Sequence, residues 1–166
     1  MKTKITIHLM HGFIGCGKTT IAKKIQEETG AVLLTHDDFM IKEYGRNPED
    51  FSKERFNAID EKIKLIAARE IEQGNSVIMD YGFWEKETRK KYFKWAKNLT
   101  SNVVFHAVQC DIETAKKRAL KRTQDDLTQF VINEEIFSDR LKRFEPMTHE
   151  EVEEEHYQAK FYYTDK

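Results

Sequence analysis

Gly12-Phe13-Ile14-Gly15-Cys16-Gly17-Lys18-Thr19 is the stretch on which the reading of this chain turns. It fits the pattern G-x-x-x-x-G-K-[ST], and its flanks supply the context that pattern requires. The preceding run Ile5-Thr6-Ile7-His8-Leu9-Met10 is rich in strand-forming residues. In the following segment, Thr19 to Thr29, the apolar residues Ile21, Ala22 and Ile25 recur at helical spacing. Strand, glycine-rich turn and helix in that order make a phosphate-binding loop. Gly12, Gly15 and Gly17 let the backbone turn tightly, so that consecutive N–H groups can face phosphate oxygens; Cys16 and Thr20 belong to the same cradle. The helix N-terminus adds partial positive charge, Lys18 a full one, and the Thr19 hydroxyl can ligate magnesium. The expected ligands are therefore ATP and Mg2+. A glycine-rich turn that binds nothing is the alternative.

Outward from the loop, the 166 residues suffice for a single domain spanning 1–166 and not for two of ordinary size. Charged residues make up 34% of the chain but balance to a net charge of −1, which does not suggest nucleic acid as a strongly basic chain would. Two cysteines, Cys16 and Cys110, cannot make a disulfide framework, and a reducing cytoplasm is the expected setting. No signal peptide and no run long enough for a membrane span is visible.

Strand-like and helical segments alternate, the pattern of a parallel sheet covered by helices. Strands are expected at about Lys4 to Met10, Ala31 to Thr35, Ser76 to Met79 and Asn102 to Val108. Asn47-Pro48-Glu49-Asp50 reads as an N-cap, an N1 proline and an acidic first turn, opening a long helix that closes at Gly74. Further helices are expected from Glu85 to Asn98, from Asp111 past Arg122, and from about Asn133 toward Arg143. In the tail, Glu150 to Glu155 reads as an acidic helix and Lys160 to Thr164 as a fifth strand. The fold class is three-layer α/β of the P-loop NTPase type, with strand order 2-3-1-4-5 and a small lid at about 118–132.

Ligands of open parallel sheets sit beyond the carboxyl ends of the strands. Beyond the second strand stand Thr35-His36-Asp37-Asp38-Phe39, and at the end of the third Asp80-Tyr81-Gly82-Phe83-Trp84. Asp80 ends a hydrophobic strand and suits magnesium or its bound water, alongside Thr19. Asp37 suits a base that orients and deprotonates an attacking hydroxyl. His36 is a second base candidate or a surface histidine, and Asp38 an acceptor contact or a helix cap. Arg118 and Arg122 are four apart, so one helix face carries both, and on a lid they can stabilise a transferring phosphoryl group. A solvated basic face is the alternative.

These residues resemble the small P-loop kinases that phosphorylate a hydroxyl. Among them are phage polynucleotide 5′-kinase domains, chloramphenicol phosphotransferase, zeta toxins and a group of uncharacterised bacterial ATP-binding (AAA-like) kinases. The resemblance runs from the first strand to about Pro146 and rests on G-F-I-G-C-G-K-T, H-D-D-F, S-V-I-M-D-Y-G-F-W, Arg89 in K-E-T-R-K-K-Y, K-R-A-L-K-R and Phe144-Glu145-Pro146. It implies Asp37 as general base and Arg118 and Arg122 as lid arginines. Where the phage kinases carry an arginine that binds substrate phosphate, three positions after the base, this chain has Met40.

The implied activity is an ATP-dependent kinase acting on the hydroxyl of a small molecule. The alternatives are a nucleic-acid 5′-hydroxyl kinase and an ATP-binding regulator without transfer. No [NT]-K-x-D segment suggests guanine recognition. Asp38, Tyr44, Arg46, Trp84 and Arg89 are the candidate acceptor contacts. The lysines and aromatics between Lys86 and Lys97 suit either a nucleic-acid backbone or an ordinary amphipathic helix.

Overall fold

The computed structural model describes residues 3–47 and 51–165. Its core is β1 (Thr6–His11), which has no exposed residue because strands pair with it on both sides and helices cover both faces. Such burial explains why its sequence reads apolar nearly throughout. Four more strands complete an all-parallel sheet in the order β2-β3-β1-β4-β5: β2 (Val32–Thr35), β3 (Val77–Gly82), β4 (Asn102–Gln109) and β5 (Gln158–Tyr163). In register, Ile7 lies beside Val77 on one side and Val103 on the other.

The helices are α1 (Lys18–Thr29), α2 (His36–Tyr44), α3 (Lys53–Glu72), α4 (Lys86–Leu99), α5 (Ile112–Asp125), α6 (Glu134–Leu141) and α7 (His149–Glu154). They divide between the faces of the sheet. Ile7, Leu9 and Met79 meet Ile63 and Ala67 of α3 and Ala96 of α4 in one core; Met10, Ile78 and Val108 meet Ala22 of α1, Ala115 of α5 and Phe137 of α6 in the other. Two apolar cores around one parallel sheet make the architecture three-layer α/β, with the strand order expected from the sequence. Among the described residues no helix is long and apolar enough to cross a membrane.

Two local expectations differ from what is observed. The stretch after β2, for which no helix was expected, forms α2, whose first turn carries Asp37 and Asp38. Thr35 occupies the N-cap without a side-chain bond, so Asp38 is not the cap. The start expected at Asn47-Pro48-Glu49-Asp50 falls largely outside the described residues. Instead α3 begins at Lys53, where the Ser52 hydroxyl accepts the Arg55 N–H at 3.1 Å. The basic run of α4 resolves into an amphipathic helix: Tyr92 is buried, Phe93 and Trp95 lean on the core, and the lysines face water.

Candidate functional site

The loop between β1 and α1 is held in shape by its surroundings. Gly12 donates its N–H to Gly82 O at 3.1 Å, and Trp84 Nε1 donates to Gly12 O at 3.3 Å. A side chain at Gly15, whose φ is 82°, would run into the carbonyl of Ala115 on α5. Thr164, just past β5, donates its hydroxyl to Cys16 O at 2.7 Å and stands against Gly17. Glycine is thus required by close approach as well as by backbone conformation. Lys18 Nζ folds back to donate to Phe13 O at 3.2 Å, a backbone oxygen standing where a phosphate oxygen could replace it.

Asp80 lies inside β3, almost wholly buried. Its Oδ2 accepts the Thr19 hydroxyl at 2.8 Å and the Thr35 hydroxyl at 3.3 Å. The pair of Thr19 and Asp80 offers hard oxygen donors at the N-terminus of α1, the chemistry a magnesium ion takes. Tight loop, lysine, hydroxyl and carboxylate together fit a nucleoside triphosphate with its metal.

Asp37 faces this group from the first turn of α2. The residue is exposed, yet the protein around its carboxyl disfavours the charged form. Desolvation pushes the carboxyl up to about 6; the negative charges of Asp80 and Asp38 add to the rise, and Lys18 and Arg122 oppose it. Asp38 beside it is raised as well, chiefly by desolvation and then by Asp80. A carboxylate titrating close to neutrality is suited to taking a proton from a hydroxyl.

Several expected site residues lie elsewhere. Arg89 is completely buried: it pairs with Glu151 through two bonds of 2.7 Å and donates to the carbonyls of Phe83, Trp84 and Glu145 at 2.8–2.9 Å. It ties α4 to α7 and reaches no acceptor. Trp84 turns toward Gly12 and tilts against Phe13, supporting the loop from its flank. Arg46 is engaged with backbone carbonyls between Thr123 and Gln129. Arg118 does not turn toward Asp37, because its guanidinium donates to the hydroxyl and carbonyl of Thr164, both at 2.9 Å. Arg122 is exposed and forms no ion pair among the described residues. His36 is no surface histidine: stacked on Phe56 at 4.0 Å and 3% exposed, it is held neutral by burial, with a value of about 4. Met40 points into the core at 2% exposure, so its side chain faces away from the site. Tyr44 is half-buried beneath the Arg55 guanidinium, 4.7 Å from its ring centre.

Three contributors carried no sequence signal strong enough to find: Thr35, Thr164 and His11. His11, fully buried, donates through Nδ1 to the carbonyls of Gly82 and Phe83 and accepts the Met147 N–H at Nε2, which fixes its tautomer. Only the strand-end position of Thr35 hinted at its role.

A family model described as an AAA domain matches residues 7–147. Solved structures similar to the chain include a proposed kinase from Chloroflexus aurantiacus, 16% identical, with a TM-score of 0.75 over 98% of this chain and 90% of that one. A sugar kinase from Janibacter sp. HTCC2649 is 16% identical, with a TM-score of 0.63 over 97% and 86%. A chain of the Pnkp1/Rnl/Hen1 RNA repair complex is 18% identical, with a TM-score of 0.67 over 86% of this chain and 45% of that one. No curated protein matches in sequence.

Proposed function

The chain belongs to the AAA domain family, and on that premise we propose that it is an ATP-dependent kinase that moves a phosphoryl group to the hydroxyl of a small molecule. The observation that carries this reading is the place of Asp37, on the first turn of α2 and within electrostatic reach of Lys18, Asp80 and Arg122. A nucleotide-binding regulator needs the loop, lysine and metal ligands; it has no use for a second carboxylate set apart from the metal and tuned toward neutrality.

MgATP, when bound, supplies the phosphoryl group and the metal charge that offsets its oxygens. The chain's own residues divide the remaining work. Backbone N–H groups from Gly15 to Thr20 would cradle phosphate oxygens, the Gly12 N–H being held by Gly82 O, and Lys18 would exchange Phe13 O for one of them. Thr19 and Asp80 would hold the metal, with Thr35 fixing the orientation of the Asp80 carboxylate. Asp37 accepts the proton of the acceptor hydroxyl as that oxygen attacks. Arg122 offers a guanidinium to charge developing on the transferring group, while Arg118, docked on Thr164, braces α5 against the phosphate loop. The segment 118–132 serves as the lid. Asp38 and Tyr44 remain the acceptor contacts of choice, both on α2.

The small-molecule reading is favoured over a nucleic-acid end by two observations. Met40, standing where the phage kinases carry an arginine for substrate phosphate, is buried, and so is Arg89, one of the expected acceptor contacts. The aromatics of α4 lie in or against the core and give bases no surface to stack on. Transfer from γ-labelled ATP across a panel of sugars, nucleosides, other alcohols and 5′-hydroxyl oligonucleotides tests the proposal. Label is expected on a small alcohol; salt-sensitive transfer to oligonucleotides alone would overturn the choice of acceptor.

A further inference from the structure

Arg46 sits just after α2, on the acceptor side of the sheet, yet its side chain belongs to the far end of α5. Nε donates to Gln129 O at 2.8 Å, and Nη2 is shared between Thr123 O and Asp126 O, both at 3.4 Å. The backbone answers in kind, Val131 N–H donating to Arg46 O at 3.0 Å. Phe51 and Phe130 meet edge to face beside this contact, with ring centres 4.5 Å apart. The last carbonyls of a helix have no partner within it and carry its negative end. A guanidinium, with five N–H donors in a rigid fork and no acceptor, is suited to bridging such a carbonyl, here Thr123 O, to those of the cap and the turn beyond it, Asp126 O and Gln129 O. Arg122 lies in this clasped turn, its carbonyl accepting the Asp126 N–H at 2.9 Å. The rest of α5 is also secured, at its N-cap through Asp111 and at its middle through Arg118 on Thr164.

We propose that Arg46 is the positioning residue of the site: by clasping the C-terminal turn of α5 it sets Arg122 over the transferring phosphoryl group and links the α2 side of the acceptor site to the lid. The inference rests on the phosphoryl-transfer reading above. It also reassigns Arg46 from acceptor contact to lid anchor, acting through Arg122 and not on substrate.

MgADP with aluminium fluoride, a mimic of the phosphoryl group in flight, tests it without knowledge of the acceptor. Binding is compared with MgADP alone for the wild type, Arg46→Ala, Arg122→Ala and the double variant. Displacement of a catalytic group by about 1 Å costs on the order of 10²-fold. Arg46→Ala is therefore expected to lose roughly 10–100-fold of fluoroaluminate-dependent affinity with MgADP binding unchanged, and Arg46→Lys to recover part of it. The double variant should be no worse than Arg122→Ala alone. In the ligand-free protein, amides of 123–132 should exchange faster in Arg46→Ala. Additive losses, unaltered fluoroaluminate binding in Arg46→Ala, or equal loss of MgADP binding would overturn the proposal. Wild type that gains nothing from fluoroaluminate would overturn the phosphoryl-transfer reading itself, and amide exchange would still report whether the clasp exists. If Arg46→Ala does not fold, Arg46→Lys, with one ammonium in place of the fork, carries the same comparison.

Discussion

At the scale of single residues, the account depends most on the environment of Asp37. Its raised value of about 6 gives two consequences of opposite sign. A base must be ionised, so kcat/KM should fall on acidification with a midpoint near about 6, and a flat profile from pH 8 to pH 5 would contradict the assignment. The fold, by contrast, disfavours the ionised form. A carboxyl raised above its unfolded value loses stabilising effect as pH rises through the folded value, so Asp37→Asn should raise Tm above neutrality and leave it unchanged near about pH 4. Gly15→Ala forces a side chain against Ala115 from a left-handed conformation, and should cost about 1–3 kcal/mol in urea unfolding and weaken ATP binding. Residues of this kind were legible because each sits at a fixed offset from a strand end or within a motif of defined mechanics. Thr164 and His11 were not, because their roles come from contacts with residues far away in sequence.

At the scale of elements, sequence patterning located all five strands and most helices, since long buried strands and amphipathic helices leave strong periodic signals. The stretch from His36 to Tyr44 failed as a helix on paper: two adjacent aspartates after a strand read as turn chemistry, and only packing against α3 shows the apolar side of α2. Arg89 failed differently. A charged residue in a lysine-rich run looks exposed, and its partner Glu151 lies 62 residues later in an acidic tail. The pair is buried and joined by two bonds, so Glu151→Ala should cost about 3–5 kcal/mol in urea unfolding by stranding the guanidinium. A loss under 1 kcal/mol would contradict it. Replacing both partners with apolar residues should not restore full stability, because three carbonyls lose their donor as well.

For the whole molecule, the sheet order brings two separate segments, the loop after β1 and the first turn of α2, to face one another across Asp80 on β3. Three histidines within this sheet, and His36 beside it on α2, are buried. His8 and His36 are lowered to about 4, and His11 and His106 to about 3, each chiefly by burial. His8 bonds to His106 at 2.9 Å, and His106 to the Tyr162 hydroxyl at 2.8 Å, linking β1, β4 and β5. Below the ordinary histidine value the unfolded chain binds protons that the folded chain refuses, so stability falls with pH, by up to about 1.4 kcal/mol per histidine per pH unit. Asp37 opposes this between 3.8 and about 6, one group against four. Urea midpoints should therefore drop markedly from about pH 7 to about pH 5, and equal midpoints would show that these rings are not held neutral. The central claim, that the two facing segments form the donor and acceptor halves of one phosphoryl-transfer site, is tested most directly by the single-turnover rate from γ-labelled ATP to a small alcohol. With ATP saturating, Asp37→Asn should be slower than wild type by about 10²–10⁴-fold while ATP affinity is retained; a wild-type rate in that variant would contradict the claim.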